Sequence, residues 1–237
     1  MPEPRAQETV PVLELRGACC RGDGRPGTSL EGVDLRLVPG EAALITVGRG
    51  VNLARFVLAD LAQGLVLASA GEVRFRGRDW AEADPSESSR RRGETGRVFA
   101  ASSWISNLNI DENITLAARH HTGEPPAAVA AAAAELSSRF DLPPPPPVRP
   151  AAEAAERLRR YEWVRAFLGR PRLILLENPF SGVYSEHRGM FHSAVAGMLG
   201  DGAAAVWITD EPATLPEPGT LPSRSYRLEG TALVLQD

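Results

Sequence analysis

The chain has 237 residues, 26 basic and 30 acidic, for a formal net charge of -4. All 26 basic residues are arginine and lysine is absent, which excludes Schiff-base chemistry and any lysine that reaches the phosphates of a nucleotide. The mild acidity argues against a nucleic-acid partner, because phosphate neutralisation needs a basic face. A hydrophobic share of 43% and a charged share of 24% suit one globular domain with a sizeable core.

The expected elements run as follows. Residues 11–16 and 33–38 alternate apolar and polar side chains, the pattern of half-buried strands. Cys19 and Cys20, adjacent and alone, make no disulfide framework and point to a reducing cytoplasm. The first ten residues are polar, and no apolar run approaches the length of a membrane span, so neither a signal peptide nor a transmembrane helix is expected. Pro39-Gly40 makes a turn, 42–47 a buried strand, and the GRG of 48–50 a loop. Residues 53–65 read as a helix with Leu53, Phe56, Val57, Leu61 and Leu65 near one face. A strand over 72–76 is followed by a charged surface loop over 86–97, and a new apolar run begins at Val98.

Residues 123–142 read as a helix introduced by prolines. Pro143 to Pro147 then form a stiff extended spacer with no hydrogen bonds of its own. A long helix over 151–169 carries Leu158, Val164, Phe167 and Leu168, and buried strands follow at 172–179 and 203–210. Strands alternating with helices imply an α/β fold with a largely parallel sheet, interrupted by helices over about 110–170. His120, His121, His187 and His192 have no ligand spacing with carboxylates, so no metal site is expected.

A strand, a glycine-containing loop and a helix, followed about 125 residues later by a buried strand ending in Glu177-Asn178-Pro179-Phe180-Ser181-Gly182, resemble the ABC-transporter ATP-binding family. Leu30 to Glu41 resembles that family's N-terminal hairpin. Gln63-Gly64-Leu65 with Gly71-Glu72-Val73 resembles its "AGL…SGEV" stretch, Trp104 to Ile114 the segment after the Q-loop, and Arg227 to Gly230 its closing hairpin. Ser106 to Asn113 is also similar to the MCE/Mla-type lipid-transport branch. The resemblance covers nearly the whole chain. It implies a P-loop NTPase-like fold with an N-terminal antiparallel β subdomain and an inserted helical subdomain. The whole chain, 1–237, would be a single domain, its core at about 10–100 and 171–237 and its helical part at about 101–170.

The resemblance also implies a site, and the residues at its positions are altered. A working P-loop wraps phosphates in backbone N–H groups, reaches them with a lysine and binds Mg²⁺ through a hydroxyl. Here the loop runs Gly48-Arg49-Gly50-Val51-Asn52-Leu53-Ala54-Arg55-Phe56, and the lysine position holds Leu53 or Arg55 according to register. Arg49 or Arg55 could bind phosphate as a fork. The adenine-stacking aromatic is missing from 18–22, and Ala100 or Ala101 takes the Q-loop glutamine position. Glu153 to Arg157 takes the place of the signature motif, Tyr184 that of the D-loop aspartate, and Asp210 that of the switch histidine. Glu177 keeps a longer carboxylate at the Mg²⁺ side of Walker B, and Asn178 replaces the general base.

What remains as a degenerate ATP site is Gly48, Arg49, Gly50, Asn52, Arg55 and Glu177, with no catalytic residue and no metal ligand set. The resemblance implies ATP and Mg²⁺ as cofactors, bound weakly or not at all. It implies a membrane-embedded permease and either a paralogous ATPase or a second copy as partners, at the inner face of the cell membrane. The expected function is a pseudo-ATPase transporter subunit. A weak ATPase and a nucleotide-sensing regulator are the alternatives.

Overall fold

Alternating apolar residues build β1 (Leu13–Cys20) and β2 (Leu30–Leu37) as an antiparallel pair, with Leu13 opposite Leu37 and Leu15 opposite Leu35. Those four leucines point to one buried face. In this computed structural model, which describes residues 9–217, 219–221 and 223–236, the pair is extended by β4 (Ala70–Phe75) and β5 (Arg78–Asp79) into a four-stranded antiparallel sheet of order β2-β1-β4-β5. The polar stretch over residues 1–8 lies outside the described residues.

A second sheet holds β3 (Ala42–Thr46), β6 (Thr95–Val98), β7 (Leu173–Glu177), β8 (Ala204–Thr209), β9 (Ser223–Glu229) and β10 (Ala232–Gln236) in the order β10-β9-β3-β8-β7-β6. It is parallel from β9 to β6, and β9–β10 is an antiparallel hairpin. β7 and β8 are buried along their full length, as central parallel strands are. The two-residue period of β3 sends Ala43 and Ile45 into the core shared with the antiparallel sheet, and Ala42 and Leu44 into the core shared with the helices. The helices are α1 (Leu58–Ala62), α2 (Pro85–Arg92), α3 (Ile110–His121), α4 (Pro126–Ser138), α5 (Ala155–Phe167) and α6 (Arg188–Gly200). The expected α/β architecture, with its antiparallel β unit and largely parallel sheet, is present.

Two expectations fail. The helix expected over 53–65 shrinks to a 3₁₀ turn at Leu53–Arg55 and the five residues of α1. Phe56 is extended (φ -72°, ψ 113°) because its ring is drawn into the core, where it is 1% exposed. Gly64 ends the segment at φ +63°, and a Cβ there would lie 2.4 Å from the Trp80 ring. The charged "loop" over 86–97 is α2 followed by β6. Asp84 caps α2 by accepting from the amides of Ser86 and Glu87, with Pro85 in the first turn. The proline spacer has no hydrogen bond within itself, as expected, but its carbonyls and that of Val148 serve neighbouring elements. The carbonyl of Pro143 accepts from the Tyr161 hydroxyl at 3.1 Å, that of Pro146 from Asp111 N at 3.4 Å, and that of Val148 from Ile110 N at 2.9 Å. Part of the segment therefore satisfies orphan amides in the first turn of α3. The other two long helices are present but shorter, at 126–138 and 155–167.

Candidate functional site

The loop between β3 and α1 is filled with its own side chains. Leu53, Phe56 and Val57 are buried in the core, with Val51 packed against it. Gly27, at φ +83°, lets the turn before β2 come down onto this loop, and a Cβ there would lie 2.6 Å from Val51. Five amides of this segment are also occupied. Val51 N donates to Gly48 O, Ala54 N to the Asn52 side chain, Arg55 N to Asn52 O, Phe56 N to Leu53 O and Val57 N to Gly27 O. These five donors are thereby turned away from a phosphate.

Of the six residues expected at the site, the structure gathers Gly50, Asn52 and Arg55 around one open cavity of about 330 Å³, together with Arg25 and Pro26. Gly48 and Arg49 are exposed nearby in sequence but do not line it. Arg55 and Arg25 each stand 3.5 Å from one oxygen of Asp23. Hydrogen bonds from Arg25 N and the Thr28 hydroxyl, aided by both guanidinium charges, hold the Asp23 carboxyl below its usual range. Arg25 and Asp23 were not foreseen. They sit in a glycine-rich turn whose approach to the loop is a tertiary event.

Glu177 lies elsewhere. Its side chain is 2% exposed, and both carboxylate oxygens accept from Arg97, at 3.0 and 3.2 Å. Arg97 opposes Leu175 in the parallel register, two residues before Glu177, so the two side chains share a face of the sheet. Asp60 of α1 and Gln63, the residue that caps its C-terminus, come onto the same face and accept from Arg97 at 2.6 and 3.2 Å. Burial pushes the Glu177 carboxyl upward and outweighs the opposing pull of Arg97. Burial works against the Arg97 charge, but Glu177 and Asp60 outweigh it and the net shift is upward. The bidentate geometry is that of an ion pair. Arg97, Asp60 and Gln63 escaped the sequence reading. The available signal was an arginine two residues into a strand-like segment, opposite a buried strand ending in glutamate.

The next two positions form a matched pair. The Asn178 amide donates to Asp210 at 2.6 Å, and its carbonyl oxygen accepts from Asp210 N at 3.3 Å. Asn178 sits at φ +43°, a conformation asparagine tolerates better than most residues. Backbone carbonyls here are gripped from α5. Arg159 donates to Phe99 O at 2.6 Å, Glu177 O at 3.0 Å and Asn178 O at 2.6 Å, and pairs with Glu162 at 2.5 Å. At the signature position Glu153 pairs with Arg157 and Glu156 with Arg160, so both carboxylates there are compensated within the protein.

A mostly parallel sheet backed by an antiparallel one, with a loop-then-helix after β3 and an acidic end on β7, defines an ATP-binding-cassette type of domain. The chain is 32% identical over 175 residues to the lipoprotein-releasing system ATP-binding protein LolD of Ruegeria sp. (strain TM1040), covering 73% of this chain and 76% of that one. It is 28% identical over 207 residues to the macrolide export ATP-binding/permease protein MacB of Marinobacter nauticus, covering 85% of this chain but 31% of that longer protein. Its fold matches the dimeric ATP-binding cassette MJ0796 bound to ADP and Pi with a TM-score of 0.79 at 18% identity, over 93% of this chain and 96% of that one. No family model matches. The chain belongs to the ABC-transporter ATP-binding family. Among the described residues no helix is long and apolar enough to cross a membrane.

Proposed function

We propose that the chain is a non-hydrolysing ATP-binding-type subunit of an ABC transporter, working beside an active ATPase and a membrane-embedded permease. The observation that carries this reading is the closed loop after β3, whose amides at residues 51 and 54–57 already have protein acceptors. Phosphoryl transfer is almost wholly positioning and charge neutralisation. A loop without a lysine, and with those five amides already engaged, supplies little of either.

The rest of the site agrees. Magnesium nucleotide does not fit the residues present. Both Glu177 oxygens are engaged by Arg97, apolar Ala54 or Phe56, according to register, stands where a hydroxyl would be needed, and Asn178 cannot take a proton from water. The docking face we assign to residues 100–116 carries exposed Ile105 and, on α3, exposed Leu116. The helical part over about 101–170 would meet the permease, at the inner face of the membrane. A second copy could replace the paralogous ATPase. LolD and MacB are named for lipoprotein release and macrolide export, and the cargo here would belong to the partner subunits.

The test is labelled-ATP binding and phosphate release by the purified full chain, with Mg²⁺ present. We expect no saturable binding at millimolar ATP and no turnover above blank. Turnover that follows protein concentration would overturn the reading. A second reading, a regulator that binds a nucleotide without hydrolysing it, is favoured by the arginine-lined cavity at Gly50, Asn52 and Arg55. Saturable binding without turnover would select it.

A further inference from the structure

Two carboxylates and an amide oxygen converge on one point between α1, β6 and β7, and that point is filled by a guanidinium. Arg97 Nε and Nη2 each donate to a different oxygen of Glu177, and Nη1 donates to Asp60 and to Gln63. The flat face lies over the Phe99 ring, 4.4 Å from its centroid. Every nitrogen of the fork is used, and the side chain is 7% exposed. Carboxylate and amide oxygens are the donors that hard divalent cations take. The oxygen set therefore suits a divalent cation, while the space at its centre does not admit one.

We propose that Arg97 is a built-in replacement for a divalent cation, a fixed countercharge that holds α1, β6 and β7 in one arrangement whatever the magnesium concentration. This rests on the reading above only in taking Glu177 as the residue at the family's metal-side position. A dissociable ion makes the state of a site depend on its own concentration, because binding to the folded form shifts the equilibrium by mass action. A side chain cannot leave, so this corner is always in its neutralised form. Arg159, holding the backbone carbonyls of Glu177 and Asn178 from the opposite element, fixes the same residues a second time. The chain would present one constant shape to its partners, without a metal-dependent cycle.

The experiment is thermal unfolding of the full-length wild type, Arg97→Ala and Arg97→Ala/Glu177→Gln. Each is measured in EDTA and in millimolar Mg²⁺, Mn²⁺ or Ca²⁺, against sodium chloride of equal ionic strength. The wild-type Tm should not respond to divalent cations. Arg97→Ala should have a lower Tm in EDTA and recover it saturably with a divalent cation, because Glu177 and Asp60 are then exposed to one another. The double variant should lose that recovery. If Arg97→Ala is insoluble in EDTA, soluble recovery by refolding in Mg²⁺ or Mn²⁺ counts as the same result. A saturable wild-type response, or an Arg97→Ala protein that no divalent cation restores, overturns the proposal. No nucleotide enters the measurement, so its failure is separate from failure of the transporter reading, which ATP binding and turnover decide.

Discussion

Replacing Arg159 with methionine tests how far the end of β7 depends on α5. The substitution keeps an unbranched apolar stem and removes the guanidinium. Arg159 is a buried donor to three backbone carbonyls, and its ion-pair partner Glu162 is 2% exposed. Removing one member of a buried pair costs about 3–5 kcal/mol, because the other charge is left without compensation. Arg165 faces Glu162 electrostatically and keeps part of that compensation, which places the expected loss near the lower end, about 3 kcal/mol. For a chain of this length each kcal/mol moves Tm by roughly 2–4 °C, so a fall of about 6–12 °C is expected in a calorimetric scan. Arg159→Met/Glu162→Gln removes the stranded charge and should regain at least about 1 kcal/mol. A single variant within about 1 kcal/mol of wild type, the ordinary effect of a point mutation, would refute the reasoning. So would a double variant no more stable than the single one.

Two further outcomes follow from the same geometry. Asn178→Glu would set a second carboxylate against Asp210 and break their reciprocal hydrogen bonds. Urea unfolding at neutral pH should show a loss of about 1–3 kcal/mol, and phosphate release should stay at blank level because the loop after β3 is unchanged. The Asp84 carboxyl is held below its usual range, chiefly by the hydrogen bond from Glu87 N and then by Ser86. Its charge therefore stabilises the fold above the ordinary aspartate value and stops doing so as pH falls through the lowered one. Asp84→Asn keeps the cap acceptor without the charge. Its Tm deficit should narrow in scans taken progressively below about pH 4, and a deficit constant with pH would count against the assignment.

Most strands and the α/β class were legible in the sequence because they depend on local periodicity, and the family resemblance because its motifs stand in their usual order and spacing. β1, β2, β3, β7 and β8 announce themselves by alternation or by continuous apolar runs. Site positions were legible through the resemblance. Leu53, Asn178 and Asp210 can be found by counting from a strand end and Arg55 by counting back from Gly64, and their side chains already say which functional groups are missing.

What those residues do instead was decided only by the tertiary structure. The helix expected over 53–65 breaks because Phe56 finds a core position better than a helical one, a competition between packing and local periodicity that no window of sequence contains. The arginine-rich segment over 86–97 reads as solvated loop until β6 is laid beside β7. Parallel register then puts Arg97 on the face of Glu177, and α1 closes over both. The absence of lysine, fixed by the sequence alone, excluded one kind of phosphate contact. That one of the 26 arginines is buried between two carboxylates follows from strand register and helix placement, because a guanidinium leaves water only where several acceptors, distant along the chain, are assembled around it.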